Sequence, residues 1–492
     1  MPESDGPVAM PSSPPPTGAP AVEAQLIARI ERLPRYAVGW AATGILGLAL
    51  FVVFYCNFDI NVSFIQTCGQ IRDGCTPGTA GASETLPVSL YLAGYLIGGL
   101  VVAPLSDRLG RRAVVKHSLV FAVLGSVVTA LATGYGMFVL GRGITGIAMG
   151  ALLAVANTYI GEIAPSAARA RYTAITFVLC TLGAMVGIGL GLLLTTEPAS
   201  FPEGLPVALA GAGFASGWRW VYWVAVIVGV VALAASTRLP ESPRWLLDHG
   251  RVDRAEAEIA ALEARALRRG PLPEPTVVEA GPLEHEESTA AAYRELFRVS
   301  RYRRRMLVLV AMWFFGYATV FAFSTSSTSI LTALHFTPPV AGMITAVGGV
   351  GFFVQGLFSA RWSEVLERRY WLPVGAALTL LGGILVATLG SNIGWAFVGF
   401  FIVFFGFNVW VPPTFALSAE SFPTRFRSAG FGLVDGLGVI GGAVGLLVVA
   451  PLVPRLSPLA AMVLISSFLV VAAVIAQFTP RARNRVLEIL SP

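Results

Sequence analysis

Three charged residues stand inside otherwise apolar stretches: Asp59, Arg142 and Asp435. A charge at the centre of a membrane-length helix costs roughly 2.5–3.5 kcal/mol on insertion scales, so each is read first as a functional group. At about 1.5 Å per helical residue, Asp59 lies roughly 33 Å beyond Ala37, where its segment starts. Arg142 lies roughly 30 Å before Glu162, where its own antiparallel segment ends. If the two segments are neighbours, an acid and a guanidinium meet at matching depth. Such a pair makes a proton switch: protonating Asp59 releases Arg142, and proton loss restores the pair. Burial favours a neutral acid and a guanidinium favours a carboxylate, a balance that can poise such a site near working pH. A static pair that only neutralises both charges is the plainer alternative. Asp435 has no evident partner in sequence. It reads as a binder of a cationic group, a second proton site, or a solvated residue without a role.

A second set of charges is duplicated. Glu162-Ile163-Ala164-Pro165 with Arg169 and Glu420-Ser421-Phe422-Pro423 with Arg427 both read Glu-x-x-Pro-x-x-x-Arg, 258 positions apart. Asp107 to Arg112 matches Glu364 to Arg369 at an offset of 257. Two motifs with nearly one offset indicate an internal repeat. The positions one offset from Asp59, Arg142 and Asp435 are uncharged, so those three charges are not parts of the repeat.

The elements that must position these groups follow from composition. Hydrophobic residues make up 55% of the 492 positions and charged residues 13%, about half the share of a soluble domain. Long uncharged runs recur, as in a polytopic helical membrane protein. Twelve spans are expected: 37–65, 84–106, 112–133, 137–163, 171–195, 217–239, 304–330, 338–360, 371–390, 393–418, 428–450 and 456–478. Residues 1–36 form a Pro/Ser-rich stretch with a short amphipathic helix over 21–33 and lack the apolar core of a signal peptide. Spans over 37–239 and 304–478 make two six-helix bundles. Residues 240–303 link them through helices at 252–269 and 290–298, and 479–492 form a tail.

Basic residues set the orientation. Arg29, Arg32, Arg35, Arg108, Arg111, Arg112, Lys116, Arg169, Arg171, Arg361, Arg368, Arg369, Arg425, Arg427, Arg481, Arg483 and Arg485 fall on one side when the helices alternate, against Arg72, Arg219 and Arg455 on the other. The positive-inside rule makes that side, and both termini, cytoplasmic. The net charge of +6 is explained by these helix ends, and no nucleic-acid partner is expected. Cys68 and Cys75 share one outer polar loop and could pair there in an oxidising compartment. Cys56 and Cys180 are read as packing residues.

Ser106-Asp107-Arg108-Leu109-Gly110-Arg111-Arg112 after the second span resembles the most recognisable loop of the major facilitator superfamily, with Ala103 where Gly is usual. Pro240-Glu241-Ser242-Pro243-Arg244-Trp245 and Glu420-Ser421-Phe422-Pro423-Thr424-Arg425 resemble signatures of its sugar-porter, metabolite–proton symporter and organic-ion branch. The resemblance covers residues 37–478. It implies an all-α membrane fold of two pseudo-symmetric six-helix bundles, in which spans 1 and 4 are neighbours at a central cavity. In similar proton-coupled sugar porters, an Asp and an Arg at the positions of Asp59 and Arg142 act as the proton switch.

The implied activity is secondary transport by alternating access, with a small organic solute imported alongside protons. No enzyme activity, cofactor or metal is expected, and no phosphate-binding Gly-x-x-x-x-Gly-Lys loop occurs. The expected setting is a plasma membrane, the inner membrane of a bacterium, with the chain as a monomer. Span 7 lacks the Gln-Gln pair common in sugar porters, which favours organic acids and aromatic metabolites over sugars and polyols. An organic-cation or drug antiporter is the near alternative, and a non-transporting sensor the different class. The expected proton-coupling residues are Asp59, Arg142 and Asp435. Candidates for the solute are Tyr55, Asn57, Trp313, Tyr317, Gln355, Asn408 and Trp410, about half of which should line the cavity. A cytoplasmic gate is expected from Asp107, Arg108, Arg111, Arg112, Glu162, Arg169, Arg171, Glu241, Arg244, Glu364, Arg368, Glu420, Arg425 and Arg427.

Overall fold

A backbone without water must satisfy its own N–H and C=O groups, and the apolar runs do so as helices. The computed structural model describes residues 19–34, 36–211, 214–276, 289–334, 336–423 and 426–483. Twelve of its helices are long and apolar enough to cross a membrane. Spans 1 to 6 are Trp40–Phe58, Thr79–Val102, Arg111–Ala130, Tyr135–Ile163, Ser166–Thr195 and Gly217–Ser236. Spans 7 to 12 are Ser300–Ser324, Pro338–Trp362, Arg368–Leu389, Ile393–Glu420, Arg427–Val449 and Pro458–Ala476. Arg35, Arg425 and Arg485 lie outside the described residues.

The two halves meet along two equivalent seams, span 5 against span 8 and span 2 against span 11. Small residues make the second seam close. A Cβ on Gly99 would come to 2.8 Å from the carbonyl oxygen of Gly432, so backbone nearly touches backbone. Ala103 lies beside Gly432 and is itself fully buried, so the departure from Gly is accommodated there. Span 2 relaxes into a π-turn over Gly98–Val102 at this contact.

Two spans are interrupted where the sequence supplies a cause. Span 1 pauses at Asp59 and continues as Ile60–Ile71, past its expected end at 65. Ser63 Oγ donates to the Asp59 carbonyl at 2.5 Å, back-bonding that bends helices. Span 10 breaks at Trp410 between Ile393–Val409 and Val411–Glu420. Pro412 and Pro413 lack the N–H that would carry the ladder across.

Outside the bundle, the N-terminal helix Ala19–Glu31 lies on the linker helix Val252–Leu267. Leu26 and Ile30 join Trp245, Leu246, Leu247, Ala255 and Ile259 in a small separate core. The end of the bundle carrying this assembly and both duplicated motifs is called the motif end below.

Candidate functional site

Asp59 and Arg142 meet. Arg142 Nη1 donates to Asp59 Oδ1 at 2.8 Å, and both side chains are buried. Arg142 Nη2 donates to the Cys56 carbonyl at 2.5 Å, and the guanidinium lies 5.1 Å from the centre of the Tyr91 ring. Gly187 of span 5 permits the close packing: a Cβ there would come to 3.3 Å from the Asp59 nitrogen. Asp59 Oδ2 and Arg142 Nε have no hydrogen-bond partner among the described residues. A buried ion pair with unfilled sites has a low cost of opening relative to a fully satisfied one.

Asn57 and Phe58, immediately before Asp59, line a small cavity. Its other walls are Phe54, Tyr95, Met149, Leu153, Tyr317, Val320, Phe321, Phe352, Asn408, Val411 and Phe415, from spans 1, 2, 4, 7, 8 and 10. Its interior, about 30 Å³, is well below the range of about 300–1,000 Å³ for small-molecule sites, so the cavity is nearly closed in this conformation. Beyond the cavity, away from the motif end, Asn61 Nδ2 donates to the Ser324 carbonyl at 2.6 Å and Thr328 Oγ1 donates to Asn61 Oδ1 at 3.0 Å. These bonds tie span 1 to the continuation of span 7.

Of the seven solute candidates, Asn57, Tyr317 and Asn408 line the cavity and four do not. The Tyr55 hydroxyl donates to the Val221 carbonyl at 2.6 Å, so its ring lies between spans 1 and 6. Trp313 Nε1 donates to Ser418 Oγ at 2.9 Å, and its ring packs on Trp410 and Phe415. Trp410 is fully buried against Gly316. Gln355 stands behind the wall, accepting from Asn408 Nδ2 at 2.7 Å and thereby orienting that amide. Depth along a helix placed these four near the cavity, but helix rotation and rotamer turned them away.

Asp435 acquires partners that sequence did not reveal. Tyr317 donates to Oδ1 at 2.5 Å and Tyr95 donates to Oδ2 at 2.7 Å. The two phenol oxygens are 3.3 Å apart. The one signal for Tyr95 was its spacing of four from Tyr91 on a span with a glycine-rich face.

At the motif end the repeat becomes two equivalent triads. Glu162 accepts from Arg111 Nε and Nη2 at 3.0 and 2.8 Å, and Asp107 lies 3.1 Å from the same guanidinium. Glu420 accepts from Arg368 Nε and Nη2 at 2.8 and 2.7 Å, with Glu364 at 3.3 Å. These bonds lie within each half. Crossing between the halves, Arg427 Nη1 donates to Glu162 at 3.5 Å. Asp107 accepts from the Ala429 N–H at 3.1 Å, and Glu364 accepts from the Arg171 N–H at 3.2 Å. Each acid thus sits in the first turn of a span from the opposite half, where the helix dipole favours negative charge. Ala429 and Arg171 are themselves 258 positions apart. Burial pushes the Asp107 carboxyl up to about 7, with Arg111 opposing and Glu162 adding to the rise.

The linker signature supports these triads. Glu241 accepts from the Arg111 N–H at 2.9 Å, and Ser242 Oγ donates to Glu162 at 2.5 Å. Arg112 donates to the Thr237 carbonyl at 2.5 Å, away from the seam between the halves. Arg108 is exposed. The residue that sequence reasoning missed is Glu31. It accepts from Arg169 Nη2 and Arg244 Nη2, each at 2.7 Å, and from the Ser166 N–H at 2.8 Å. Burial works against its charge, but the two guanidiniums prevail and hold the carboxyl at about 2. An acid set among Arg29, Arg32 and Arg35 was the available signal.

The Cys68 and Cys75 sulfurs are joined, with Cα atoms 5.8 Å apart, and Cys56 and Cys180 are free and buried. Among the described residues no group of three or more His, Cys, Asp or Glu is placed to hold a metal ion.

Two pseudo-symmetric bundles around a cavity, with duplicated acid–arginine triads at one end, define a transporter of the major facilitator type. Residues 48–489 match the model of the sugar (and other) transporter family, and the chain belongs to that family. It is 26% identical over 426 residues to the glucose transporter GlcP of Staphylococcus epidermidis, covering 82% of this chain and 87% of that one. It is also 26% identical over 413 residues to a solute carrier family 22 member 15-like protein of Xenopus tropicalis, covering 81% and 76%. The fold matches that of the proton:xylose symporter XylE with a TM-score of 0.72 at 18% identity, over 92% of this chain and 98% of that one. The protein is therefore an integral membrane transporter rather than an enzyme.

Proposed function

We propose that the protein is a monomeric proton-coupled symporter that moves a small organic solute inward across a plasma membrane, the motif end facing the cytoplasm. The observation that carries this reading is the buried Asp59–Arg142 pair at 2.8 Å, directly after two cavity residues. A proton on Asp59 removes the charge that holds Arg142, and span 1 is then free to move against span 4. The triads at the motif end act as the cytoplasmic gate. The arginine bias at that end supports the orientation.

Organic acids, favoured by sequence alone, fit the cavity less well. Its described lining holds no basic residue, and Arg142 is already engaged by Asp59. The relatives named for glucose and xylose support a sugar or polyol as the second reading. Asn57, Asn408 and the phenols of Tyr95 and Tyr317 are groups that can bind hydroxyls.

The test is proton flux in proteoliposomes, with glucose, xylose, benzoate and phenethylamine offered in turn. Wild type should accumulate its solute with matching proton uptake. Asp59→Asn should lose accumulation while retaining solute exchange at equal concentrations. Accumulation unaffected by Asp59→Asn would remove the pair from the coupling mechanism.

A further inference from the structure

Three facts about the cavity wall concern charge and hydrogen-bonding direction rather than shape. First, Asp435 is fully buried, and both its oxygens accept only from phenols, with no cationic side chain among its described partners. The pair Asp59–Arg142 is internally neutral, so Asp435 leaves the cavity region with an uncompensated acid. A buried carboxylate of this kind is costly unless a proton or a counter-ion supplies the missing charge.

Second, both phenols spend their protons on Asp435. Their oxygens, 3.3 Å apart, can therefore offer only lone pairs to a cavity occupant. Asn57 adds to this: its Oδ1 is buried and has no hydrogen-bond partner among the described residues, while the residue lines the cavity. Asn408 has committed an amide N–H to Gln355. Asn57 and Asn408 keep amide N–H groups as well, but the two phenol oxygens and Asn57 Oδ1 await donors.

Third, the surroundings are aromatic. Tyr317 stands 5.5 Å from Phe321 and 4.9 Å from Trp313, and Tyr95 stands 6.5 Å from Phe321, centroid to centroid. Ring faces of this kind attract a desolvated cation.

We propose that Asp435, Tyr95, Tyr317 and Asn57 form a subsite for a protonated amine carried on a compact apolar or ring-bearing solute. The ammonium group donates to the phenol oxygens and to Asn57 Oδ1, and Asp435 supplies the countercharge one hydroxyl away. This assignment narrows the solute class of the transport reading above and rests on the same cavity.

Binding to the full-length chain in detergent, measured by calorimetry, tests it without requiring proton coupling. The probes are phenethylamine and its neutral counterpart 2-phenylethanol at pH 7. The amine should bind about tenfold tighter or better, the size expected of a desolvated cation–aromatic contact with a countercharge. Asp435→Asn should abolish that preference, and Asp435→Glu should restore part of it. If Asp435→Asn does not fold, the pair Tyr95→Phe and Tyr317→Phe removes both acceptor oxygens and should abolish the preference instead.

Equal affinity for the two probes in the wild type, or a preference that survives these substitutions, overturns the subsite. So does a changed proton-to-solute ratio in Asp435→Asn without any amine preference, which would make Asp435 a proton site. Proton-driven sugar uptake with no amine preference leaves the symport reading standing and removes this one. Amine preference with no proton movement does the reverse.

Discussion

Glu162→Gln separates what the motif-end charges do for folding from what they do for the conformational cycle. Glu162 is fully buried and accepts from Arg111 twice, from Ser242, and from Arg427 across the seam. The Arg111 and Ser242 bonds lie within the first half and its linker, so they persist when the halves rock apart. Removing a partner from a buried pair costs about 3–5 kcal/mol. Arg111 retains Asp107 at 3.1 Å and the Ser106 carbonyl at 2.7 Å, which places the stability loss toward the low end. Only the Arg427 bond reports on closure. At 3.5 Å it is at the outer limit of a hydrogen bond. A value of about 1.4 kcal/mol is the low side for a charge-assisted bond, and it corresponds to a tenfold change in an equilibrium.

Glu162→Gln should therefore shift the closed-to-open ratio at the motif end about tenfold toward open. Arg427→Gln should give the same shift with a smaller loss of thermal stability, and the double variant should open no further than either single one. The assay is the distance between spin labels on Leu109→Cys and Val365→Cys, two exposed positions on opposite halves. Cys56 and Cys180 are buried, and Cys68 is bonded to Cys75, so labelling is confined to the introduced sites. A distance distribution unchanged in both single variants, alongside a clear drop in stability, would refute the gate and leave the triads a purely structural role.

Other expectations follow from equally specific contacts. Glu31 has its carboxyl lowered from 4.5 to about 2, so its clamp on Arg169 and Arg244 is fully present above pH 4.5 and is lost as pH falls toward 2. The clamp contributes roughly 3 kcal/mol; proteolysis at the linker should rise through that window, and Glu31→Gln should show the raised rate already at neutral pH. Gly441→Ala should cost at least about 1–3 kcal/mol of stability in a thermal unfolding assay, because its Cβ would collide with the Phe314 carbonyl and push span 11 from span 7. A membrane-impermeant maleimide applied to intact cells should label Cys75, the partly exposed member of the disulfide, only after reduction. Labelling only after the membrane is opened would invert the proposed orientation.

Several outcomes were legible in the chain because they depend on composition and spacing alone. Long uncharged runs can only cross a bilayer as helices, so the number of spans and the two-bundle fold followed from apolar length and the repeat. The Asp59–Arg142 pair was legible as well. Depth along two antiparallel helices is fixed by about 1.5 Å per residue, so Asp59 and Arg142 fell at one level, while the superfamily resemblance, not spacing, made their spans neighbours. The repeat also foretold that Asp107 and Glu364 play equivalent parts.

What tertiary structure alone decided is direction around the helix axis and contact between distant segments. Tyr55 and Trp313 occupy useful depths yet point into helix–helix contacts, since rotation of a span is set by packing rather than by its own residues. Tyr95 and Tyr317 reach Asp435 across 340 and 118 positions of chain, and Glu31 reaches Arg244 across 213. Such pairings carry no local periodicity. They exist because small residues bring spans 2, 7 and 11 close together, and because a short amphipathic helix finds its apolar partner on the linker.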